Sequence, residues 1–102
     1  MKEFLLPVHK AVVKASVGLH ARPAAVFVRA VTETGLPVTI AKEGIAHVDA
    51  RSLLQVMTAD FHQGCEVELA ISEDVLDGAL SRRKAGDALQ ALGELLESQG
   101  AV

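Results

Sequence analysis

The chain has neither tryptophan nor tyrosine, and only three phenylalanines, three prolines and one cysteine among its 102 residues. With Cys65 alone, no intrachain disulfide can form, so a hydrophobic core must hold the fold and a reducing cytoplasm is the expected setting. An excess of one charge is also missing. Ten basic against thirteen acidic residues give a formal net charge of −3, which excludes the basic stripe of a general nucleic-acid binder but leaves room for a local basic patch. No apolar run approaches the ~20 residues needed to span a bilayer. Phe4-Leu5-Leu6-Pro7-Val8 is interrupted by Pro7 and too short for the apolar region of a signal peptide. Internal repeats and low-complexity segments are absent as well.

What the chain does have is apolar material, 50% of its residues. That is enough for residues 1–102 to fold as a single domain without metal or disulfide. From Ala11 to Ser16 apolar Ala11, Val13 and Ala15 alternate with Val12, Lys14 and Ser16, the pattern of a half-buried strand. After Gly18 the period lengthens: Ala24, Val28 and Val31, with Phe27 beside them, recur at helical spacing until Gly35 stops them. Pro37–Lys42 reads as a second strand with Val38 and Ile40 on one face. Glu43-Gly44 supplies a turn, and Ile45–Asp49 is its hairpin partner. Ser52 opens a short helix running to Met57 or Ala59. After the Gln63-Gly64 turn, Cys65–Ile71 forms a strand with Val67, Leu69 and Ile71 inward and Glu66 and Glu68 outward.

Ser72–Lys84 is the least legible stretch and admits either a short helix at Val75–Leu80 or a loop. From Ala85, the stripe of Ala88, Leu89, Leu92, Leu95 and Leu96 predicts an amphipathic helix that Gly100 stops and that Gly86 and Gly93 weaken modestly. Strands in hairpins with apolar residues on one face predict an α+β fold, an open-faced sandwich with helices on one side of an antiparallel sheet.

The chemistry is concentrated in Val17-Gly18-Leu19-His20-Ala21-Arg22-Pro23-Ala24-Ala25, where a strand gives way to a helix. Gly18 permits a tight turn, and Pro23 suits a first helical turn, where its missing N–H is not needed. His20 then falls at or beside the N-cap, a position where stability alone favours Ser, Thr, Asp or Asn. Arg22 sets a cation at the positive end of the helix dipole, which costs about 0.3–1 kcal/mol. One bound dianion removes both anomalies: the N–H groups of Ala21 and Arg22, with the guanidinium, make a phosphate site. The helix N-terminus disfavours imidazolium, leaving a ring nitrogen of His20 free as a nucleophile. A phosphoryl group on that nitrogen stays transferable and brings about −1.5 to −2 charge to a place prepared for it.

Gly18-Leu19-His20-Ala21-Arg22-Pro23-Ala24 resembles the active-site motif of the histidine-containing phosphocarrier (HPr) family of the bacterial phosphoenolpyruvate-dependent sugar phosphotransferase system. The resemblance extends over about Ala11–Ser98 and includes Ala50-Arg51-Ser52-Leu53-Leu54-Gln55-Val56-Met57, similar to the family's second helix and regulatory serine. It implies a βαββαβα sandwich with a four-stranded antiparallel sheet. It further implies that His20 accepts phosphate on Nδ1 from phospho-enzyme I and donates it to an enzyme IIA domain, with Arg22 and the amides at Ala21 and Arg22 holding the group. Such a protein is a stoichiometric carrier with no cofactor, cytoplasmic and expected to be monomeric, because docking needs the His20 face free. The same fold also accommodates a regulatory phosphorelay paralogue, such as the nitrogen-related branch or a dihydroxyacetone kinase donor.

Three departures from the family pattern stand out. Val17 occupies a site that is often small and polar, Ser72–Lys84 is several residues longer, and the N-terminus extends beyond the first strand. Ser52 occupies the position that some family members offer to a dedicated kinase, yet Ser52 and Gln55 also form an S-x-x-Q capping box, a sufficient structural reason for a serine. Leu53, Leu54 and Met57 cannot all be buried by one short helix. An exposed Leu53 or Leu54 beside the His20 loop makes a docking patch, which by resemblance Ala25 and Arg29 complete. The spacings of His9, His47, His62 and Cys65 match no metal site. Cys65 is expected to pack as a small apolar residue, and Arg82-Arg83-Lys84 to be a solvated face. A stand-alone enzyme needs a second positioned acid, base or metal near His20, and the motif itself offers only Arg22.

Overall fold

The computed structural model describes residues 8–71 and 78–99. Their elements run β1 (Val8–Val12), α1 (Ala21–Thr34), β2 (Val38–Lys42), β3 (Ile45–Asp49), α2 (Leu53–Ala59), β4 (Glu66–Ile71) and α3 (Gly78–Ser98). The strands form one four-stranded sheet in the order β1-β4-β2-β3, with every neighbouring pair antiparallel. This is the expected βαββαβα order. β4 is an interior strand, hydrogen-bonded to β1 on one edge and β2 on the other, and its alternation turns Val67, Leu69 and Ile71 to the buried face at 1%, 0% and 0% exposure.

The helices cover the inward face of the sheet. Phe27 and Val31 of α1, Val56 of α2, and Leu89, Leu92 and Leu96 of α3 join Val13, Ile40, Leu69 and Phe61 in one core cluster. Cys65 is buried within that cluster, as its packing role requires. Burial there pushes its thiol above the ordinary range. The opposite face of the sheet carries polar side chains, among them Thr39, whose hydroxyl lies 2.9 Å from His47 Nδ1, and Glu68, 3.6 Å from His47 Nε2.

The first strand is displaced from its expected span. The faces of Ala11, Val13 and Ala15 are inward as predicted, but the ladder spans Val8–Val12 rather than Ala11–Ser16. Val13 still donates to Cys65 O at 2.9 Å and accepts from Gly64 N at 2.7 Å. Beyond it the chain leaves the sheet and turns, with Gly18 N donating to Ala15 O at 2.9 Å. Residues 1–7 of the N-terminal extension lie outside the described residues.

The last helix begins earlier than expected, at Gly78 rather than Ala85. From Gly78 onward the long Ser72–Lys84 segment is therefore helical and continuous with α3, and the part of the expected Val75–Leu80 helix or loop that precedes Gly78 lies outside the described residues. Residues 72–77, and Gly100, lie outside the described residues. Gly93 has a packing role beside its modest helix cost. It is buried on α3 against the His9 ring of β1, and any Cβ at that position would overlap His9 Cδ2 and Nε2. Arg82, Arg83 and Lys84 are exposed on α3.

Candidate functional site

The site is built where two chain segments meet. Leu19 is fully buried, and its N–H donates to Phe61 O at 2.8 Å. Gly18 makes this approach possible: it has φ +73, and a Cβ there would lie 2.7 Å from Phe61 O and 3.0 Å from His62 Cα. With Leu19 tied to Phe61, the next residue along one strand of chain, His20, faces the preceding residue of the other, Asp60. His20 Nε2 lies 2.9 Å from Asp60 Oδ1. An ionised carboxylate only accepts, so Nε2 carries the proton and donates it, and Nδ1 is left without a hydrogen-bond partner among the described residues. The His20 side chain retains 34% exposure and is open to an approaching partner.

His20 is the N-cap of α1, with extended backbone (φ −133, ψ 163), and its side chain caps no backbone N–H. Ala21 follows in the left-handed region at φ 53, a conformation that costs a non-glycine residue on the order of 1 kcal/mol. Ala24 N reaches back to His20 O at 3.4 Å, and Pro23 has no N–H. The amides of Ala21 and Arg22 have no backbone partner among the described residues. They are the free donors expected of a phosphate-receiving helix start.

Arg22 is exposed and forms no ion pair among the described residues. It lines a groove of about 390 Å³ with Lys14, Val17, Pro23, Val26 and Gln63, on whose rim Val17 and Val26 are 56% and 42% exposed. His20 and Arg22 thus flank Ala21 without bonding each other, and the guanidinium is uncommitted.

The remaining expected residues lie on α1 and at the start of α2. Ala25 and Arg29 are exposed on α1, with Arg29 Nε 3.3 Å from Glu33 Oε2. On α2 both Leu53 and Leu54 are exposed, at 41% and 76%, while Val56 is buried and Met57 packs against the core. Ser52 caps α2: its Oγ accepts from Gln55 N at 3.2 Å. The capping box is only half made. Ser52 N already donates to Asp49 O at 3.0 Å, so the Gln55 side chain accepts from Asp49 N instead, also at 3.0 Å. Asp49 in turn binds Arg51 through both carboxylate oxygens, at 3.0 and 3.2 Å. The Arg51 hydrogen bond holds its carboxyl below the usual range.

Asp60 is the site residue that motif reading missed. It lies 40 positions from His20, so inspection of the motif for a second acid could not find it. The one local signal is chemical: Asp60 ends α2 in the left-handed conformation (φ 59, ψ 61), where glycine or asparagine is the usual choice. Its backbone is held on both sides, with N–H donating to Met57 O at 3.2 Å and the carbonyl accepting from Lys42 Nζ at 2.6 Å. The His20 hydrogen bond, helped by the charges of His20, Lys42 and His62 and opposed by slight burial, keeps the Asp60 carboxyl below its ordinary range. His9, His47, His62 and Cys65 do not converge, and the described residues contain no cluster of three or more metal-ligating side chains.

Comparison with known proteins agrees with this geometry. Residues 8–98 match the family model described as the phosphorylation site of the HPr component of the phosphotransferase system. The phosphocarrier protein HPr of Streptomyces coelicolor is 49% identical over 65 residues, 64% of this chain and 70% of that protein. The crystal structure of HPr-C-His from Thermoanaerobacter tengcongensis superposes with TM-score 0.69 at 28% identity, covering 93% of this chain and 96% of the other. An HPr phosphocarrier from Bacillus anthracis gives TM-score 0.70 at 27% identity over 86% and 93% of the two chains. With the sheet order, the helix-start histidine and a family match across nearly its whole length, the chain belongs to the HPr family of the phosphotransferase system, whose members are stoichiometric phosphocarriers that transfer a phosphoryl group through a histidine.

Proposed function

We propose that His20 is the phosphoryl-carrying histidine and that Nδ1 is the atom that bonds phosphorus. The observation behind this reading is the hydrogen bond from His20 Nε2 to Asp60, which leaves Nδ1 as the ring's lone-pair nitrogen, at a helix start whose Ala21 and Arg22 amides have no backbone partner among the described residues. Nδ1 attacks the phosphorus of a donor phosphohistidine, the donor P–N bond breaks, and its electron pair stays on the donor ring. The transferred dianion is held by the two amides, the positive end of α1 and the Arg22 guanidinium. Transfer onward is the same displacement with His20 as leaving group.

The donor in this reading is phospho-enzyme I and the acceptor an enzyme IIA domain. Both dock on the surface made by Ala25, Arg29, Leu53 and Leu54. Two exposed leucines next to polar residues suit an interface that must also release its partner. The chain acts as a monomer, with the His20 face uncovered. Ser52, partly exposed at the end of this surface, is open to a kinase. A phosphate there would oppose an acidic partner and disturb the α2 cap at once. No helix among the described residues is long and apolar enough to cross a membrane.

The test is intact-mass measurement after incubation with phosphoenolpyruvate and purified enzyme I, before and after brief acid treatment. A single phosphate-sized gain that acid removes supports a phosphohistidine, and the His20→Ala variant should show none. A gain that His20→Ala retains would place the phosphate elsewhere.

A further inference from the structure

Asp60 belongs to no part of the motif that carries the family resemblance, yet among the described residues it makes the one hydrogen bond to the His20 ring. Its placement is built rather than incidental. The Leu19–Phe61 backbone bond puts His20 and Asp60 opposite each other. The bonds to Met57 O and from Lys42 Nζ then fix the Asp60 backbone. Its left-handed conformation, φ 59, is one that glycine adopts freely and aspartate adopts at a cost. A residue that stability disfavours, held on both sides and bonded to the reacting ring, is a functional departure from local rules.

We infer that Asp60 is a positioning residue for phosphoryl transfer, holding the His20 ring in the tautomer whose proton is on Nε2 and whose lone pair is on Nδ1. The inference rests on His20 being the phosphoryl carrier. A histidine can expose the wrong nitrogen in two ways, by tautomerising or by rotating its ring. A carboxylate acceptor at Nε2 opposes both, because only an N–H there makes the bond. Through a transfer cycle the proton then stays in place. As the P–Nδ1 bond forms from the Nδ1 lone pair and the donor P–N bond breaks, the ring becomes an imidazolium with its Nε2–H still directed at Asp60. When the phosphoryl group leaves, the P–Nδ1 pair returns to Nδ1 and the neutral tautomer is restored. The cycle needs no net gain or loss of a proton at Nε2, and the positive ring faces a negative carboxylate while it carries phosphate. Lys42 holds the Asp60 main chain in place through its bond to the carbonyl.

The pair is solvent-accessible, with side chains 34% and 71% exposed, so its effect is modest: roughly two- to fivefold in an equilibrium, as for other exposed ion pairs. The experiment compares wild type with Asp60→Gly and Asp60→Asn by ¹⁵N NMR of the His20 ring at about pH 8.5, above the ordinary imidazole range of about 6.5. Thermal melting and the rate of phosphorylation by enzyme I are measured on the same samples. Asp60→Gly should fold about as stably as wild type, because relief of the left-handed strain offsets the loss of the exposed His20 pair. Even so, its ratio of Nε2–H to Nδ1–H tautomer should fall two- to fivefold, with a parallel fall in phosphorylation rate. Asp60→Asn, which keeps an acceptor oxygen without the charge, should lie between them. An unchanged tautomer ratio in Asp60→Gly, or a lowered ratio with an unchanged rate, would overturn the assignment. If wild type takes no phosphate on His20, the carrier reading fails on its own terms, while the NMR ratio still reports whether Asp60 sets the tautomer.

Discussion

The Phe61 carbonyl lies where a side chain on Gly18 would have to be, and it accepts the N–H of Leu19 at 2.8 Å. This contact joins the turn before His20 to the end of α2, and it accounts for the glycine at the head of the motif through backbone geometry rather than chemistry. Gly18→Ala adds left-handed strain and a clash with backbone that cannot move cheaply. A loss of about 1–3 kcal/mol is expected, a fall in Tm of roughly 5–15 °C for a domain of this size. Phosphorylation should suffer beyond what instability explains, because His20 loses its register against Asp60. A melting curve and a phosphorylation rate taken below the lowered Tm check the two effects separately.

Arg22→Glu replaces an uncommitted guanidinium with a like charge beside the incoming phosphate. Transfer from enzyme I should slow about 10- to 100-fold, the usual worth of a charge-assisted hydrogen bond plus the added repulsion. The melting temperature should hold or rise slightly, since an acidic side chain suits the first turn of α1. Wild-type transfer kinetics in this variant would remove Arg22 from phosphate handling.

Leu54 is 76% exposed and contributes little to the core. Leu54→Asp should leave stability within about 0.5 kcal/mol while weakening enzyme I binding by roughly tenfold. Titration calorimetry or NMR line broadening reads that change. An unaltered affinity would place the docking surface elsewhere, for example along the Val17–Val26 groove.

Asp49 and Asp60 both have carboxyls held below the ordinary 3.8 in the folded chain, by Arg51 and by His20 respectively. A depressed folded value means that each contributes stability above the unfolded value, and that this contribution is lost as pH falls through the folded one. Melting temperature should therefore drop as the pH is lowered through and beneath about 4. Asp49→Asn should flatten part of that drop, because Asn still accepts from the Arg51 backbone but no longer titrates. An equally steep acid limb in Asp49→Asn would show that the Arg51 pair contributes nothing.

Much of this molecule is legible in its residues, because its patterns are regular where burial is one-sided. Val67, Leu69 and Ile71 alternate without interruption and mark β4, while Phe27 and Val31 recur at helical spacing and mark α1. Ile45–Asp49 runs as predicted, since Glu43-Gly44 forms its turn. The less legible features depend on contacts between distant residues. β1 ends at Val12 although the alternation continues to Ala15, because the partner strand gives way to the Gln63-Gly64 turn. The start of α3 before Ala85 is hard to read because Gly78 and the run Ser81-Arg82-Arg83-Lys84 offer no apolar stripe. At the site, His20 and Arg22 announced themselves by breaking local helix rules. Asp60 did so only faintly, since its partner is brought to it by the Leu19–Phe61 bond and not by sequence.

The most direct measurement is ³¹P–¹⁵N correlation NMR on uniformly ¹⁵N-labelled protein phosphorylated by enzyme I and phosphoenolpyruvate. A phosphorus signal coupled to Nδ1 of His20, with a proton on Nε2, is the predicted result. Coupling to Nε2 of His20, or to a nitrogen of His9, His47 or His62, would contradict it.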